Sequence, residues 1–506
     1  MIPLPSRTKA VKNNTFFAAL AFIIKTILMF INRTFFIRYL GVEYLGLNNL
    51  FTNILTILSL AELGLGNAIV YSMYKPVSEG NISKIKSLLS LYKKFYYIIG
   101  TIILAVGLSL LPALPFLMEG EVTVQANIYV IYVIFILSNV VGYYFAHRRA
   151  LIFAYQRNDI ESKVSMITQI ILSALQILLL VTTKNYYLYT GAVVLTTIID
   201  SVLIYIISYK LFNDIRGSSI PLEEEDLKEI KKNTKAMFIH KVGGALVFST
   251  DHIIISSFLG LAVLGIYSNY NLVINTLVSI FGLLATAISS TVGNLIVEGD
   301  KKKIHQIFNV FNFCQFWLAG FALISLVVLF QDFIELWLDS SYLLDFNTML
   351  VIAIAFFIRQ MRGIVNVFKD SAGLFVKDRI KPVFEVLINI ALDIILVQVW
   401  GVFGVLIATI ISSIVTSLWI EPFVLFKYLF NQKVTSYFLR ILIYVIIIFT
   451  SLVGTYFLAK LLPFSGVTNF VLKILICIVV PNIIFFLASF KTKEFKSLSN
   501  KVFRRT

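Results

Sequence analysis

The sequence predicts an all-α polytopic membrane protein of fourteen transmembrane helices, built as two six-helix lobes in parallel repeat with two further helices behind them. Three observations predict it. Of 506 residues, 58% are apolar and 14% charged, with a mean hydropathy of +0.88. A soluble chain of this size would carry far more polar surface. Apolar runs long enough to cross a bilayer centre near residues 27, 60, 102, 136, 172, 200, 246, 280, 320, 357, 391, 414, 448 and 478. Finally, the loops alternate in charge: the N-terminal tail, every second loop after it and the C-terminal segment hold 35 of the 43 Lys and Arg, and the opposite loops hold Lys184 and Lys460. Such asymmetry orients a multi-pass protein in the plasma membrane with both termini cytoplasmic. It also accounts for the formal charge of +16 without a nucleic-acid partner.

Span one lies in residues 13–46 and carries Lys25, Arg33 and Arg38, three of the six cations that fall inside spans. A cation near mid-membrane costs about 2.5 to 3.5 kcal/mol on insertion scales, so it normally faces a bundle interior or a wet cavity. At about 100° per residue, Lys25, Asn32 and Arg33 share one quadrant, while Arg38 sits near the outer end and can snorkel. This cationic stripe reads as the lining of a pathway for an anionic head group. Span two (47–74) contains Glu62 in LAELGLGN, where Gly64 and Gly66 allow close approach or local unwinding. Span four ends in HRRALIFAYQRND, whose Arg148 and Arg149 read as phospholipid anchors. After span six the segment NDIRGSSIPLEEEDLKEIKKNTK is the longest polar stretch, a linker with a short charged helix after Pro221.

That linker marks the midpoint of an internal repeat. Tyr39, Leu40, Gly41, Leu45 and Gly46 recur 219 residues later as Phe258, Leu259, Gly260, Leu264 and Gly265. At the same offset Asn32 pairs with Asp251 and Arg33 with His252; an offset of 220 pairs Asn127 with Asn347, Arg149 with Lys369 and Arg157 with Lys377. Six spans per half is an even number, so the halves insert in the same orientation about an axis along the membrane normal. The expected boundaries are an N-lobe over 1–215, a linker over 216–233, a C-lobe over 234–430, and residues 431–506 as an appended pair of spans with a cytoplasmic tail.

The second half differs chemically. Span seven carries Asp251 and His252, span eight Asn269, Asn271 and Asn275, and span ten Arg359 and Arg362 on one face with Lys369 following. Spans eleven and twelve add Asp393 and Glu421. Each lone acid reads either as half of an internal ion pair or as a functional group. Guanidinium matches phosphate oxygens bidentately and keeps its charge when desolvated, so a wet cleft lined by Arg33, Arg359 and Arg362 would suit a diphosphate. The sequence has no GxxxxGK[ST] loop, no HExxH and no Cys/His cluster, and Cys314 and Cys477 each lie inside an apolar run. No resident metal or cofactor is expected.

The segments AELGLGNAIVYSMYKP (61–76), FLGLAVLGIYSNYN (258–271) and GLFVKDRIKPVFEVLINIALDIILVQVWGVFGVLIATIIS (373–412) resemble the polysaccharide-transporter or Wzx-type flippases of the multidrug/oligosaccharidyl-lipid/polysaccharide (MOP) superfamily. The resemblance implies a MATE-like fold and movement of undecaprenyl-diphosphate-linked oligosaccharide units to the outer leaflet, for capsule or exopolysaccharide synthesis, by alternating access. Membrane lipids, a polymerase and glycosyltransferases are the implied partners, and Na+ or H+ the implied coupling ion. Lys25, Asn32, Arg33, Asn271, Arg359 and Arg362 are then the expected cargo ligands, and Glu62, Asp251 and Asp393 the ion-coupling candidates. A lipid II flippase fits the same spans and basic cavity. A multidrug cation exporter would want acids where this chain has arginines, and a membrane glycosyltransferase would want paired acids on an aqueous loop.

Overall fold

The computed structural model describes residues 7–62, 65–120, 124–215, 221–222, 224–374 and 377–503, and among them all regular structure is helical. The chain divides into two compact units, Met1–Gly265 and Ile266–Thr506. In the first, α1 (Arg7–Leu40) packs along α6 (Asn158–Thr183), which meets α7 (Tyr186–Leu211); α5 (Ile128–Ala154) joins α7 to α4 (Ile82–Ser109). The second span is broken into α2 (Val42–Leu58), a 3₁₀ turn over Ser59–Glu62 and α3 (Leu65–Glu79). Gly64 lies outside the described residues. A Cβ on Gly66 would come within 2.3 Å of Tyr96 Oη, so this glycine lets α4 close on the break.

The charged helix expected after Pro221 does not stop short. It begins at Glu224 and continues as α8 (Glu224–Glu298), interrupted only by non-helical Gly260. In the second unit α9 (Lys301–Trp337) is central and packs against α10 (Phe346–Met361), α14 (Thr435–Lys460) and α15 (Gly466–Ser489). The short α11 (Gly363–Ser371) and α13 (Ser417–Leu425) pack on each other beside α12 (Lys381–Val415), and α16 (Lys493–Phe503) rests on α9.

Among the described residues eleven helices are long and apolar enough to span a membrane; two of them, Ser249–Glu298 and Lys381–Phe430, are 50 residues long with glycine breaks at Gly260 and Gly401. The expected fourteen therefore follows only if each 50-residue helix is two spans and the broken second span is one more. Helix starts are set by side-chain caps: Asn81, Asn127, Asn185, Asp300 and Asp345 accept from backbone N–H groups of their first turns. The cap answering to Asn127 is thus Asp345, not Asn347, and the repeat offset slips by two residues there.

The repeat has a physical meaning inside the first unit. Gly41 (φ 88°, ψ 179°) and Gly260 (φ 83°, ψ 172°) share one backbone state that only glycine adopts cheaply. A Cβ on Gly46 would sit 1.9 Å from the Leu261 carbonyl oxygen, and one on Gly265 would sit 2.2 Å from that of Val42. Val42 and Leu261 are themselves one repeat apart, so the two copies of the motif interlock reciprocally, glycine against backbone.

Polarity is inverted relative to a soluble protein. Ser173, Ser208, Asn312, Ser412 and Ser451 are fully buried, whereas Leu387, Phe449, Phe457 and Leu487 are exposed. In lipid an apolar contact between helices gains little over one with acyl chains, so close packing and buried hydrogen bonds hold the bundle. The last two spans are more than an appendage. Phe316 of α9 stacks on Tyr444 of α14 at 4.0 Å, Trp317 donates from Nε1 to Asn482 Oδ1 at 2.6 Å, and Lys473 of α15 pairs with Asp332 at 2.6 Å.

Candidate functional site

In the first unit the cationic face of α1 lines a cavity of about 330 Å³. Lys25, Asn32 and Arg33 contribute from α1, Asn48 from α2, Gln169 from α6 and Tyr189 from α7; none of the described lining side chains is acidic. The Lys25 ammonium donates to Ser165 Oγ. Asn32 is buried and donates from Nδ2 to Gln176 Oε1 at 2.5 Å, while its own Oδ1 has no hydrogen-bond partner. Arg33 is half-buried beside Tyr189, and Arg38 is exposed at the end of the helix. Two cations, three side-chain amides and a phenol converge on one recess, a donor-rich surface that suits an oxyanion.

Helical periodicity along α1 identifies this stripe but not its partners on α6. A signal for them is nonetheless present: Gln169, Ser173 and Gln176 recur at i, i+4 and i+7 in an otherwise apolar run.

Span ten behaves differently. Arg362, expected to face cargo, donates from Nε and Nη2 to the two carboxylate oxygens of Glu421 at 3.0 and 2.8 Å, and from Nη1 to Glu385 Oε1 at 3.3 Å. Lys381 also donates to Glu421 and lies 3.7 Å from Glu385, which accepts from Ser417 Oγ at 2.6 Å. The bidentate face of Arg362 is occupied by carboxylates, so the cargo-ligand assignment does not hold for it; it belongs to a buried, charge-balanced cluster. Arg359, one turn earlier, is half-buried, as is Asn271 on α8. Lys369 is buried and pairs with Asp378 at 2.6 Å.

The first unit has a counterpart of this cluster. Arg149 pairs with Asp200 of α7 and with Glu161 of α6, the latter at 3.3 Å. It is therefore an internal ligand, not the lipid anchor expected, while Arg148 lies over the rings of Tyr205 and Tyr209 at 5.3 and 5.8 Å with its Nε and Nη1 buried. In each half a cation toward the C-terminal end of one span is held by acids from the next two, which ties three helices together.

The ion-coupling candidates lie in three settings. Glu62, where the second span breaks, accepts from Tyr96 Oη at 2.5 Å. Asp251 and His252 are buried in the first unit. Asp393 is fully buried in α12 and accepts from Asn389 Nδ2 at 3.3 Å; Asn389 also reaches Thr409 Oγ1 at 3.3 Å.

Solved structures share this architecture. The fold resembles lipid II flippase MurJ in its inward closed conformation (TM-score 0.68, 16% identity, 93% of this chain and 98% of that one). It also resembles an inward-facing multidrug-resistance MATE transporter of the MOP superfamily (TM-score 0.61, 16% identity, 79% and 97% covered). A mutant of the MATE transporter VcmN of Vibrio cholerae is similar as well (TM-score 0.60, 14% identity, 84% and 98% covered). No curated protein sequence matches the chain. The family model "Polysaccharide biosynthesis protein" matches residues 11–292, more than half of the sequence, and the chain accordingly belongs to that family, on the multi-pass helical fold of the MOP superfamily.

Proposed function

We propose that the protein is a flippase that carries undecaprenyl-diphosphate-linked oligosaccharide units from the cytoplasmic to the outer leaflet of the plasma membrane by alternating access. The single observation that carries this reading is the cavity lined by Lys25, Asn32 and Arg33, with no acid among its described lining side chains. Arginine binds phosphate oxygens in a fork and stays protonated when desolvated, while lysine adds a mobile point charge. The isoprenoid tail needs no cavity because it remains in lipid. Arg359 and Asn271 are retained as candidate ligands on the second unit, and Arg362 is not.

Transport against a concentration difference requires a driving force. Asp393, with Asn389 and Thr409 beside it, offers the oxygen ligands that a hard cation such as Na+ prefers. Glu62, bonded to a phenol, is better suited to a proton. Asp251 remains a candidate without an assigned ion.

The reading is tested by reconstituting the protein with fluorescent lipid-linked oligosaccharide. Arg33→Ala should lose flipping and Lys25→Ala should slow it, both while retaining insertion and thermal stability; normal flipping in both would end the proposal. Likeness to MurJ in fold gives a lipid II flippase second place. Depletion in cells separates the two, since loss of capsule or exopolysaccharide supports the first and lysis from failed wall synthesis supports the second.

A further inference from the structure

The first unit holds another polar cavity, of about 450 Å³, that shares no lining residue with the α1 recess. Its walls come from the last turns of α3, the first turns of α4 and the start of α8. Tyr71 and Tyr74 stand three residues apart on α3 with rings edge-to-face at 6.3 Å, and they are 65% and 43% exposed. Tyrosines at a span end often belong to an interfacial belt turned to lipid. These two share their wall with Lys75, Glu79, Lys84 and Asp226, which lipid would not tolerate.

The charge balance of this cavity separates it from the first. Lys84 is bonded to Asp226 at 2.8 Å and Lys75 lies 3.9 Å from Glu79, so its cations are matched one for one. An oxyanion gains nothing from such a lining. The Lys84–Asp226 bridge ties α4 to the start of α8, where buried Ile230 completes the seal, so the wall is held before any ligand arrives. Exposed aromatic rings beside matched donors and acceptors suit a neutral polyhydroxylated ring, whose axial C–H bonds lie on the aromatic face while its hydroxyls both donate and accept. The volume falls in the range of small-ligand pockets, about 300 to 1,000 Å³.

We propose that this cavity docks a pyranose unit of the cargo's sugar chain, with Tyr71 and Tyr74 as the stacking platform and Lys84–Asp226 as the hydroxyl-reading edge. The inference rests on the flippase reading above and divides the labour within it: the α1 recess takes the diphosphate and the α3–α4–α8 cavity takes sugar.

The test is equilibrium binding to the full-length protein in detergent with two probes. One is undecaprenyl diphosphate; the other is the free oligosaccharide released by mild acid from the lipid-linked pool of producing cells. Replacing both tyrosines, as Tyr71→Ala with Tyr74→Ala, should weaken oligosaccharide binding about tenfold or more and leave undecaprenyl diphosphate unchanged. Phe at both positions, which keeps the rings, should bind oligosaccharide nearly as wild type, and Arg33→Ala should show the mirror image of the alanine pair. Full oligosaccharide affinity in the double-alanine variant would overturn the proposal. So would a wild type that binds undecaprenyl diphosphate but no free oligosaccharide, an outcome that leaves the flippase reading standing. A wild type that binds neither probe overturns both.

Discussion

The cations of α1 and the cations at the end of α10 start from the same sequence observation and reach opposite ends. Lys25 and Arg33 line a recess with no described acid on its wall, while Arg362 is gripped by Glu421 and Glu385 with Lys381 alongside. Both sets are at least half-buried; what differs is that carboxylates grip Arg362 directly, whereas the described polar lining of the α1 recess is amide, phenol and cation. An arginine inside a membrane is a functional candidate only until its partner is found. The pairing that removes Arg362 from the cargo path gives it a structural task, since a buried ion cluster rigidifies the helices it joins and is costly to break.

The sharpest way to break this contrast is to take away one side of the cluster. Glu421→Ala leaves Arg362 and Lys381 buried without their main carboxylate and should cost about 3 to 5 kcal/mol, read as a large fall in thermal stability in detergent. Replacing Arg362, Lys381, Glu385 and Glu421 together with apolar residues of similar volume should recover most of that loss. A Glu421→Ala protein as stable as wild type would mean the cluster is wet and Arg362 available to cargo.

On the other side of the contrast, Arg33→Ala should leave stability nearly unchanged but weaken undecaprenyl diphosphate binding by about 2 kcal/mol or more, roughly thirtyfold. Arg33→Lys should restore only part, because a point charge does not reproduce the fork. Equal loss of stability in Arg33→Ala and Glu421→Ala would erase the distinction between the two regions.

Where the halves are alike, equal substitutions should cost alike. Gly41→Ala and Gly260→Ala each force alanine into a backbone state reserved for glycine, at roughly 1 to 3 kcal/mol. Thermal shifts that differ widely between them would show that the shared motif is not used twice in the same way. The smallest effect is expected from Lys25→Met, severalfold in diphosphate affinity, because this ammonium is tethered to Ser165 and contributes a single flexible charge.

Much of the molecule is legible in the order of its residues. Span positions follow from apolar length, and the motif YLGVEYLG repeated as FLGLAVLG marks the duplication. The α1 recess is legible because helical periodicity puts residues 25, 32 and 33 on one side whatever packs against them. The fate of Arg362 is not, because Glu385 and Glu421 lie 23 and 59 residues downstream and periodicity says nothing about which helices become neighbours. The same gap makes α14 and α15 look like additions in the sequence, although Trp317 reaches Asn482 across 165 residues of chain.

By itself the sequence determined that this chain must live in a bilayer, where its apolar segments lie, that it is doubled, and that one face of its first helix is cationic. Those properties depend on composition and local period, which the solvent reads residue by residue. Tertiary structure alone decided which charges meet in carboxylate clusters and which line a recess. A charge is neutralised by whatever lies within a few ångströms of it, and in a helical bundle that neighbour comes from a distant part of the chain.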